Sequence, residues 1–296
     1  MSKPKIGFIG LGLMGSAMVQ RLLDLDYEVT VIANRSRTHV DAAVARGAKE
    51  VKTSKELAAA SEVIMFCMDT SDSVESRVYG ENGVLAGVSP GALVVDFGTS
   101  LPGSTTKIGA DMAEKGARYM DAPLGRTPNH GREGKLNIMA AGEEADYARA
   151  KPVLDDLGEN VFHVGPLGAG HTLKLINNFF AMTTAVSMSE AFAMADQAGL
   201  AREKLYDVMA AGPLRSGMMD FVKAYAVEGD VQLAFSVANA SKDVGYYVKM
   251  ADDFGAPSQM SFAAKNALNQ ATEQGWGDKM VPEMVDRFSE MFAKKS

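Results

Sequence analysis

Two segments of different character divide this 296-residue chain and predict an α/β domain followed by an all-helical one. Up to about residue 165, short apolar strands alternate with amphipathic helices, which is the order that builds a parallel, doubly wound sheet. After Gly165-Pro166 the strands stop, and residues 171–198 contain neither glycine nor proline. We therefore predict a Rossmann-like dinucleotide-binding domain over 1–165, then a long helix leading into an all-helical domain for substrate binding and oligomerisation over 166–296.

Each predicted element follows from local periodicity. Apolar runs typical of strands occupy residues 6–9, 28–32, 63–68, 93–97, 118–122, 136–141 and 161–164. Helical spacing covers residues 15–25, 38–46, 54–60, 72–78, 104–115 and 143–157. The polar segment between strands 118–122 and 136–141 lacks a helical pattern, so strict alternation is expected to fail there. In the second half, helix ends are expected at Gly212-Pro213, Gly229-Asp230 and Gly255-Ala256-Pro257.

A glycine-rich turn follows the first predicted strand and opens the first helix. The sequence reads Gly10-x-Gly12-x-x-Gly15 directly after residues 6–9, an arrangement that binds the pyrophosphate of a dinucleotide. Gly10 permits the tight turn, Gly12 lets backbone N–H groups approach the phosphates, and Gly15 allows the helix to pack on the strand. We therefore predict cofactor contacts from Gly10, Gly12, Leu13, Met14 and Gly15.

The residues after the second strand indicate which dinucleotide is bound. An NAD site usually places Asp or Glu here to accept from the ribose 2′-hydroxyl, whereas this chain has Asn34, Arg35, Ser36 and Arg37. Guanidinium and hydroxyl groups suit a 2′-phosphate instead. We predict NADP(H) as the preferred cofactor and NAD(H) as the alternative. The other interpretation is that both arginines begin a surface helix and stay solvated.

Composition limits the other classes of function. The formal net charge of −7 argues against nucleic acid as a partner, and no run approaches the roughly 18 apolar residues of a membrane span. A single cysteine excludes an internal disulfide, so we expect a cytoplasmic protein. Cys67 lies in an apolar run and is interpreted as a core residue. The four histidines show no metal-ligand spacing, and we predict no metal.

The start of the long helix carries polar residues on one face. Lys174, Asn177 and Asn178 stand at positions i, i+3 and i+4 and therefore project toward a common region. A lysine beside a nicotinamide can protonate a carbonyl oxygen while hydride arrives at the carbon. From the residues alone, a solvated lysine and surface amides would also explain the pattern.

Four motifs spread along the chain carry a resemblance. They are Gly7-Phe-Ile-Gly-Leu-Gly-Leu-Met-Gly15, Asp121-Ala-Pro-Leu-Gly-Arg-Thr127 with Gly134-Lys-Leu136, Gly168-Ala-Gly-His-Thr-Leu-Lys-Leu-Ile-Asn-Asn178, and Phe235 through Ser241-Lys242-Asp243. With this combination the chain resembles the β-hydroxyacid dehydrogenase family, which includes 3-hydroxyisobutyrate dehydrogenase, tartronate semialdehyde reductase and glyoxylate/succinic semialdehyde reductases.

That resemblance implies a set of roles. Lys174 would be the general acid/base, and Asn178 would contact the substrate. Asn177 shares their helix face and is therefore predicted as a further substrate contact. The implied cofactor contacts are Lys242 beside the nicotinamide, Thr99 at the nicotinamide ribose, and Met68 and Asp69 along the adenosine side or the pyrophosphate. The family also implies a homodimer or homotetramer.

The substrate segment departs from the family pattern. Most members have a Ser-Gly-Gly turn that holds a carboxylate, whereas this chain has Gly125-Arg126-Thr127. A guanidinium adds five donors and a permanent charge, so we expect these three residues to bind a bulkier or more strongly acidic anion. The turn resembles that of sulfolactaldehyde reductases. The alternative is that Arg126 forms a salt bridge within the loop, for instance with Glu133.

These observations predict an NAD(P)H-dependent reductase of a small anionic semialdehyde. We favour the reduction of 3-sulfolactaldehyde to 2,3-dihydroxypropane-1-sulfonate. A carboxylate semialdehyde (succinic, tartronate or methylmalonate semialdehyde) is the alternative. A non-catalytic dinucleotide-binding protein and an imine reductase share the architecture, but Lys174 argues against both.

Overall fold

The computed structural model describes residues 3–34 and 36–293, and it divides into two compact units, Met1–Lys174 and Leu175–Ser296. The first unit is built on a six-stranded parallel sheet with the order β3-β2-β1-β4-β5-β6. Its strands are β1 Ile6–Ile9, β2 Val29–Ile32, β3 Lys49–Val51, β4 Val63–Phe66, β5 Leu93–Asp96 and β6 Arg118–Asp121. The chain reverses direction across the sheet between β1 and β4, the point where open α/β sheets bind nucleotides.

The central strands are buried on both faces, which explains why they read as continuous apolar runs. In β4, Val63 and Met65 join one core cluster while Ile64 and Phe66 join the cluster on the opposite face. Side chains alternate in the same way along β1 and β5, because successive residues of a strand point to opposite faces. The helices that cover the sheet are α1 Leu13–Asp24, α2 Thr38–Ala45, α3 Ser54–Ala59, α4 Ser71–Val78, α5 Pro102–Glu114 and α7 Glu144–Leu157.

Two short strands and one short helix escaped the sequence prediction. β3 lies at the edge of the sheet and is mostly exposed, so it carries no apolar alternation. The segment expected to be a polar loop contains β7 Leu124–Gly125 and α6 Pro128–Arg132. With β8 Leu136–Ala140 and β9 Gly158–His163, β7 forms a second, three-stranded sheet. Elements of two and five residues are too short to show periodicity.

The long helix α8 Ala169–Gln197 has 29 residues and is therefore about 43 Å long. It begins in the first unit and continues into the second, whose other helices are α9 Arg202–Ala210, α10 Gly217–Glu228, α11 Val237–Asp253, α12 Gln259–Ala271 and α13 Met284–Ala293. Breaks between them fall at the three predicted glycine-containing positions. The predicted fold class is thus confirmed. Among the described helices, none combines the length and apolar character that a bilayer crossing needs.

Candidate active site

The three glycines of the first turn differ in what surrounds them. Gly10 has φ +102°, and a Cβ there would lie 2.3 Å from the carbonyl oxygen of Cys67. A Cβ on Gly15 would lie 1.9 Å from the carbonyl oxygen of Gly10. A Cβ on Gly12 would meet no described atom within 4 Å. The fold itself therefore requires Gly10 and Gly15, whereas the side of Gly12 is open for a ligand to approach.

This turn fits a dinucleotide pyrophosphate. Gly12 is the N-cap of α1 and provides no side-chain hydrogen bond, and no acidic residue stands in the first turn. The N–H groups of a first helical turn have no acceptor within the helix and attract anions. Leu13 and Met14, the other predicted contacts, follow Gly12 at the surface of this turn, where Leu13 is 66% exposed. Their contact with cofactor stays a prediction.

Predicted cofactor residues from three neighbouring strands lie at the carboxyl edge of the sheet. A Cβ added to Gly10 would lie 3.0 Å from the Met68 sulfur. A Cβ added to Gly98 would lie 2.9 Å from the Met68 carbonyl oxygen. Asp69 comes directly after Met68 and is exposed, while Thr99 follows Gly98 and is half-buried. The ends of β1, β4 and β5 thus meet where the parallel sheet places its ligands.

The residues after β2 have partners that the sequence did not reveal. Asn34 Oδ1 accepts a hydrogen bond from Arg77 Nη2 at 2.8 Å. Arg77 belongs to α4 and lies 43 positions away, so no local pattern could have indicated it. Ser36 Oγ contacts the Thr38 hydroxyl at 3.3 Å. Arg35 lies outside the described residues.

Arg37, the second arginine of this segment, is already paired. Its guanidinium contacts Asp41 at 2.7 Å and Glu50 at 3.0 Å. Both carboxylates neutralise it on the exposed surface. Among the described residues, the guanidinium that contacts Asn34 is that of Arg77.

Two buried carboxylates stand side by side at the carboxyl edge of the sheet. Asp96 and Asp121 are register partners at the ends of β5 and β6, and they are 1% and 0% exposed. Asp96 accepts hydrogen bonds from the Gly98 N–H at 2.8 Å and from Ser100 Oγ at 3.0 Å. Burial raises the pKa of the Asp121 carboxyl, and the neighbouring charge of Asp96 acts in the same direction. Sequence reasoning gave neither residue a role.

His171 lies between these carboxylates and is fully buried. Its Nε2 is 3.8 Å from Asp96 Oδ2, and its Nδ1 is 3.8 Å from Asp121 Oδ2. Nδ1 is also 2.7 Å from the Thr105 hydroxyl. Because His171 is in the first turn of α8, the buried cluster lies directly beneath the helix that carries Lys174. Lys174 follows three residues later and is half-buried.

The predicted anion turn has an unusual backbone and a paired guanidinium. Arg126 has φ +75°, a left-handed conformation that favours glycine. Its Nη1 contacts both a Glu159 carboxylate oxygen and the Lys135 carbonyl oxygen, the latter at 2.7 Å. The salt bridge considered from the sequence therefore exists, but the expected partner was wrong. Glu133 pairs with Lys135 at 2.8 Å, and β9 supplies Glu159 in its place.

The remaining turn residues flank Arg126 within the first unit. Gly125 pairs with Asn137 in the antiparallel ladder of β7 and β8. The Thr127 hydroxyl lies 2.7 Å from His130 Nδ1. The side chains of both Arg126 and Thr127 are thus engaged within the first unit.

In the second unit, one buried carboxylate holds two predicted site residues. Asp243 is 2% exposed and accepts a hydrogen bond from Asn178 Nδ2 at 2.6 Å, while Lys242 Nζ lies 2.8 Å from its Oδ1. Asn177 is exposed and its Nδ2 lies 3.3 Å from Asn178 Oδ1. The sequence motif contained Asp243, but it assigned the residue no function.

The sequence also led to expectations about the single cysteine and about metal binding. Cys67 is half-buried and packs against the core of the first unit. Burial raises the pKa of its thiol to about 12, with the charge of Asp96 as a second cause, so the thiol is protonated at neutral pH. Within the described part of the chain, no group of three His, Cys, Asp or Glu side chains could hold a metal ion.

Comparison with known proteins agrees with this architecture. A profile described as the NAD binding domain of 6-phosphogluconate dehydrogenase matches residues 5–165, and one described as NAD-binding of NADP-dependent 3-hydroxyisobutyrate dehydrogenase matches residues 168–288. A 2-(hydroxymethyl)glutarate dehydrogenase from Eubacterium barkeri is 31% identical over 97% of this chain and 95% of its own. The chain belongs to the β-hydroxyacid dehydrogenase family.

Two further proteins show the same similarity in sequence or in fold. The 3-sulfolactaldehyde reductase of Escherichia coli is 32% identical over 92% of this chain and 91% of its own. The structure of the 3-hydroxyisobutyrate dehydrogenase of Mycobacterium tuberculosis with L-serine superposes with a TM-score of 0.87. The match covers 97% of this chain and 99% of that one at 23% identity, and it shows that the two share a fold. As a family member, the chain is an NAD(P)-dependent oxidoreductase that acts on CH–OH groups.

The different surroundings of Gly12 and Gly15 give a testable contrast. Gly15→Ala should lower the free energy of unfolding by about 1–3 kcal/mol, because its Cβ would overlap the backbone of Gly10. Gly12→Ala should change it by less than about 1 kcal/mol yet weaken dinucleotide binding, since the new methyl group would enter the open side of the turn. Urea unfolding and cofactor fluorescence titration measure the two effects. Unchanged cofactor affinity in Gly12→Ala would contradict the assigned site.

Proposed function

We propose that the chain reduces a small anionic semialdehyde with NADPH, and that its substrate is 3-sulfolactaldehyde, which becomes 2,3-dihydroxypropane-1-sulfonate. The observation that carries this proposal is a guanidinium at position 126, in a left-handed turn five residues after Asp121. A sulfonate has three tetrahedral oxygens, which the Arg126 guanidinium, the Thr127 hydroxyl and backbone N–H groups could share. The relative named 3-sulfolactaldehyde reductase supports the same substrate class.

A carboxylate semialdehyde is the second candidate, and one observation favours it. Glu159 already neutralises part of the charge of Arg126. If the guanidinium only stabilises the loop through this salt bridge, the turn would bind succinic, tartronate or methylmalonate semialdehyde through its backbone N–H groups. Initial rates for 3-sulfolactaldehyde, succinic semialdehyde and tartronate semialdehyde, each with NADH and NADPH, distinguish the two candidates. The highest kcat/KM on 3-sulfolactaldehyde is the expected result.

The residues divide the work along the substrate. When bound, the nicotinamide cofactor supplies the hydride. Lys174 gives a proton to the oxygen of the aldehyde as negative charge develops there. Asn178 orients the substrate, and Asp243 holds its amide by a 2.6 Å hydrogen bond. Arg126 and its neighbours in the turn hold the distal anion, so that binding energy at that end positions the reacting carbon.

Lys174→Ala tests the assigned proton donor. We expect kcat to fall by about 10²–10⁴-fold because general acid catalysis is lost, while the Kd of the dinucleotide stays near that of the wild type. Steady-state rates on the best semialdehyde and fluorescence titration with NADPH provide both numbers. Near-normal turnover in this variant would show that another group supplies the proton.

Arg126→Gly tests the assigned anion contact. Glycine accepts the positive φ, so the turn keeps its shape, and a charge-assisted contact is lost. We expect kcat/KM on 3-sulfolactaldehyde to fall by about 10- to 100-fold, with a smaller change on succinic semialdehyde. Parallel rate measurements on both substrates decide the matter.

Glu159→Gln is the matched control for this variant. It removes the competing carboxylate and leaves the guanidinium in place, so KM for 3-sulfolactaldehyde should fall. Equal losses on both substrates in Arg126→Gly, together with no change in Glu159→Gln, would make Arg126 a structural residue of the loop.

The preference for NADPH can be tested through Arg77. Its guanidinium is held at Asn34, at the end of β2 where the 2′-substituent of the adenosine ribose is expected. Arg77→Ala should weaken NADPH binding by about 10- to 100-fold, the usual value for a hydrogen bond to a charged group, and should leave NADH binding nearly unchanged. Arg37→Ala is the matched control, because that side chain is already paired with two carboxylates. Equal losses for NADH and NADPH in Arg77→Ala would contradict the assignment.

A further inference from the structure

We propose that Asp121 is a positioning residue that fixes Lys174 at a set place relative to the anion-holding turn Gly125–Thr127. The inference rests on the proposed function, which assigns proton donation to Lys174 and anion binding to the turn. Asp121 would touch neither substrate nor cofactor. It would act through the backbone of the segment that leads into α8.

The carboxylate of Asp121 binds that segment at two places. Oδ1 accepts a hydrogen bond from the Gly168 N–H at 2.8 Å, and Oδ2 accepts one from the His171 N–H at 2.7 Å. Both donors precede or open the first turn of α8, where N–H groups lack helical acceptors. One fully buried side chain therefore satisfies two of these donors, and the negative charge also matches the positive end of the helix.

The two donors lie close because glycine occupies the positions around them. Gly168 has φ +92°, a conformation that directs the chain into the helix. A Cβ on Gly170 would lie 2.8 Å from Asp121 Oδ2 and 2.4 Å from the Met139 carbonyl oxygen. The start of α8 is thus pressed against the carboxylate with no room for another side chain.

The main chain of Asp121 belongs to β6, the strand that leads to the anion-holding turn. Its backbone N–H and carbonyl both bond to Ala141, at 3.2 Å and 2.7 Å. Three residues later the chain enters β7 and then the turn Gly125–Thr127. Side chain and main chain of one residue therefore connect the two segments that would hold opposite ends of the substrate.

The neighbouring carboxylate acts on a different segment. Asp96 holds the Gly98 N–H and the Ser100 hydroxyl, which flank Thr99. His171 separates Asp96 from Asp121 at 3.8 Å from each. Asp121, in contrast, accepts the hydrogen bonds from the N–H groups of Gly168 and His171. Replacing Asp121 should therefore affect the start of α8 more than the segment around Thr99.

The chemical consequence concerns geometry. The spacing between proton donor and anion turn must match the length of the substrate, and a displacement of about 1 Å can cost about 100-fold in rate. Loss of Asp121 should therefore lower kcat, because the donor is displaced. KM of the anionic substrate should change little, because the turn keeps its own contacts to Glu159, Lys135 and His130.

Asp121→Asn tests this with the full-length enzyme. The amide oxygen can accept one of the two N–H bonds, and the amide NH₂ then opposes the other donor. We expect kcat to fall about 100-fold, with KM of the semialdehyde and Kd of NADPH each within about 3-fold of wild type. Amide hydrogen exchange should show faster exchange in the segment 168–171. Gly170→Ala, which displaces the helix and keeps the carboxylate, should give the same pattern.

Asp146→Asn is the matched control. Asp146 is a buried carboxylate in α7 of the same unit, and it accepts a hydrogen bond from Arg118 Nε at 2.8 Å. Its variant should therefore lose stability and keep kcat. The positioning role would be overturned if Asp121→Asn had the kcat of the wild type. It would also be overturned if Asp121→Asn and Asp146→Asn lowered kcat equally. A wild-type enzyme that reduces none of the semialdehydes overturns the proposed function itself, and this role with it.

Discussion

The first unit depends on how it accommodates two adjacent carboxylates without access to water. Asp96 and Asp121 end neighbouring strands, and two like charges side by side in a core are costly unless donors surround them. Two backbone N–H groups donate hydrogen bonds to Asp121, and a backbone N–H and the Ser100 hydroxyl donate to Asp96. These donors come from the segments that carry predicted active-site residues. The requirement to satisfy the buried charges therefore also shapes the site.

Much of this architecture could be predicted from local sequence. Five of the six strands of the parallel sheet could be located because its central strands are continuous apolar runs, and the glycine turn could be placed because its function depends on consecutive residues. β3 could not, since an exposed edge strand of three residues has no apolar face. The homodimer or homotetramer expected from the family stays a prediction.

The parts of the site that escaped prediction share one property, which is distance along the chain. Asp121 binds N–H groups 47 and 50 positions later, and Arg77 reaches Asn34 across 43 positions. Arg126 pairs with Glu159, 33 residues away, although the sequence suggested the nearby Glu133. A carboxylate or guanidinium has the same appearance in a sequence whatever it contacts. Such pairs become visible when the fold places the two segments together.

The alternation of side chains along the central strands also affects how the first unit can fold. Within β4, adjacent residues belong to different cores, and the same holds along β1 and β5. Neither core can therefore form while the strands remain unpaired, and the two must appear together in one cooperative step. Partners β1 and β4 are also about sixty residues apart, a separation that slows strand pairing. A nascent chain that has emerged only as far as β2 would thus lack both cores, and the unit would gain protection from proteases abruptly once β4 and β5 have joined.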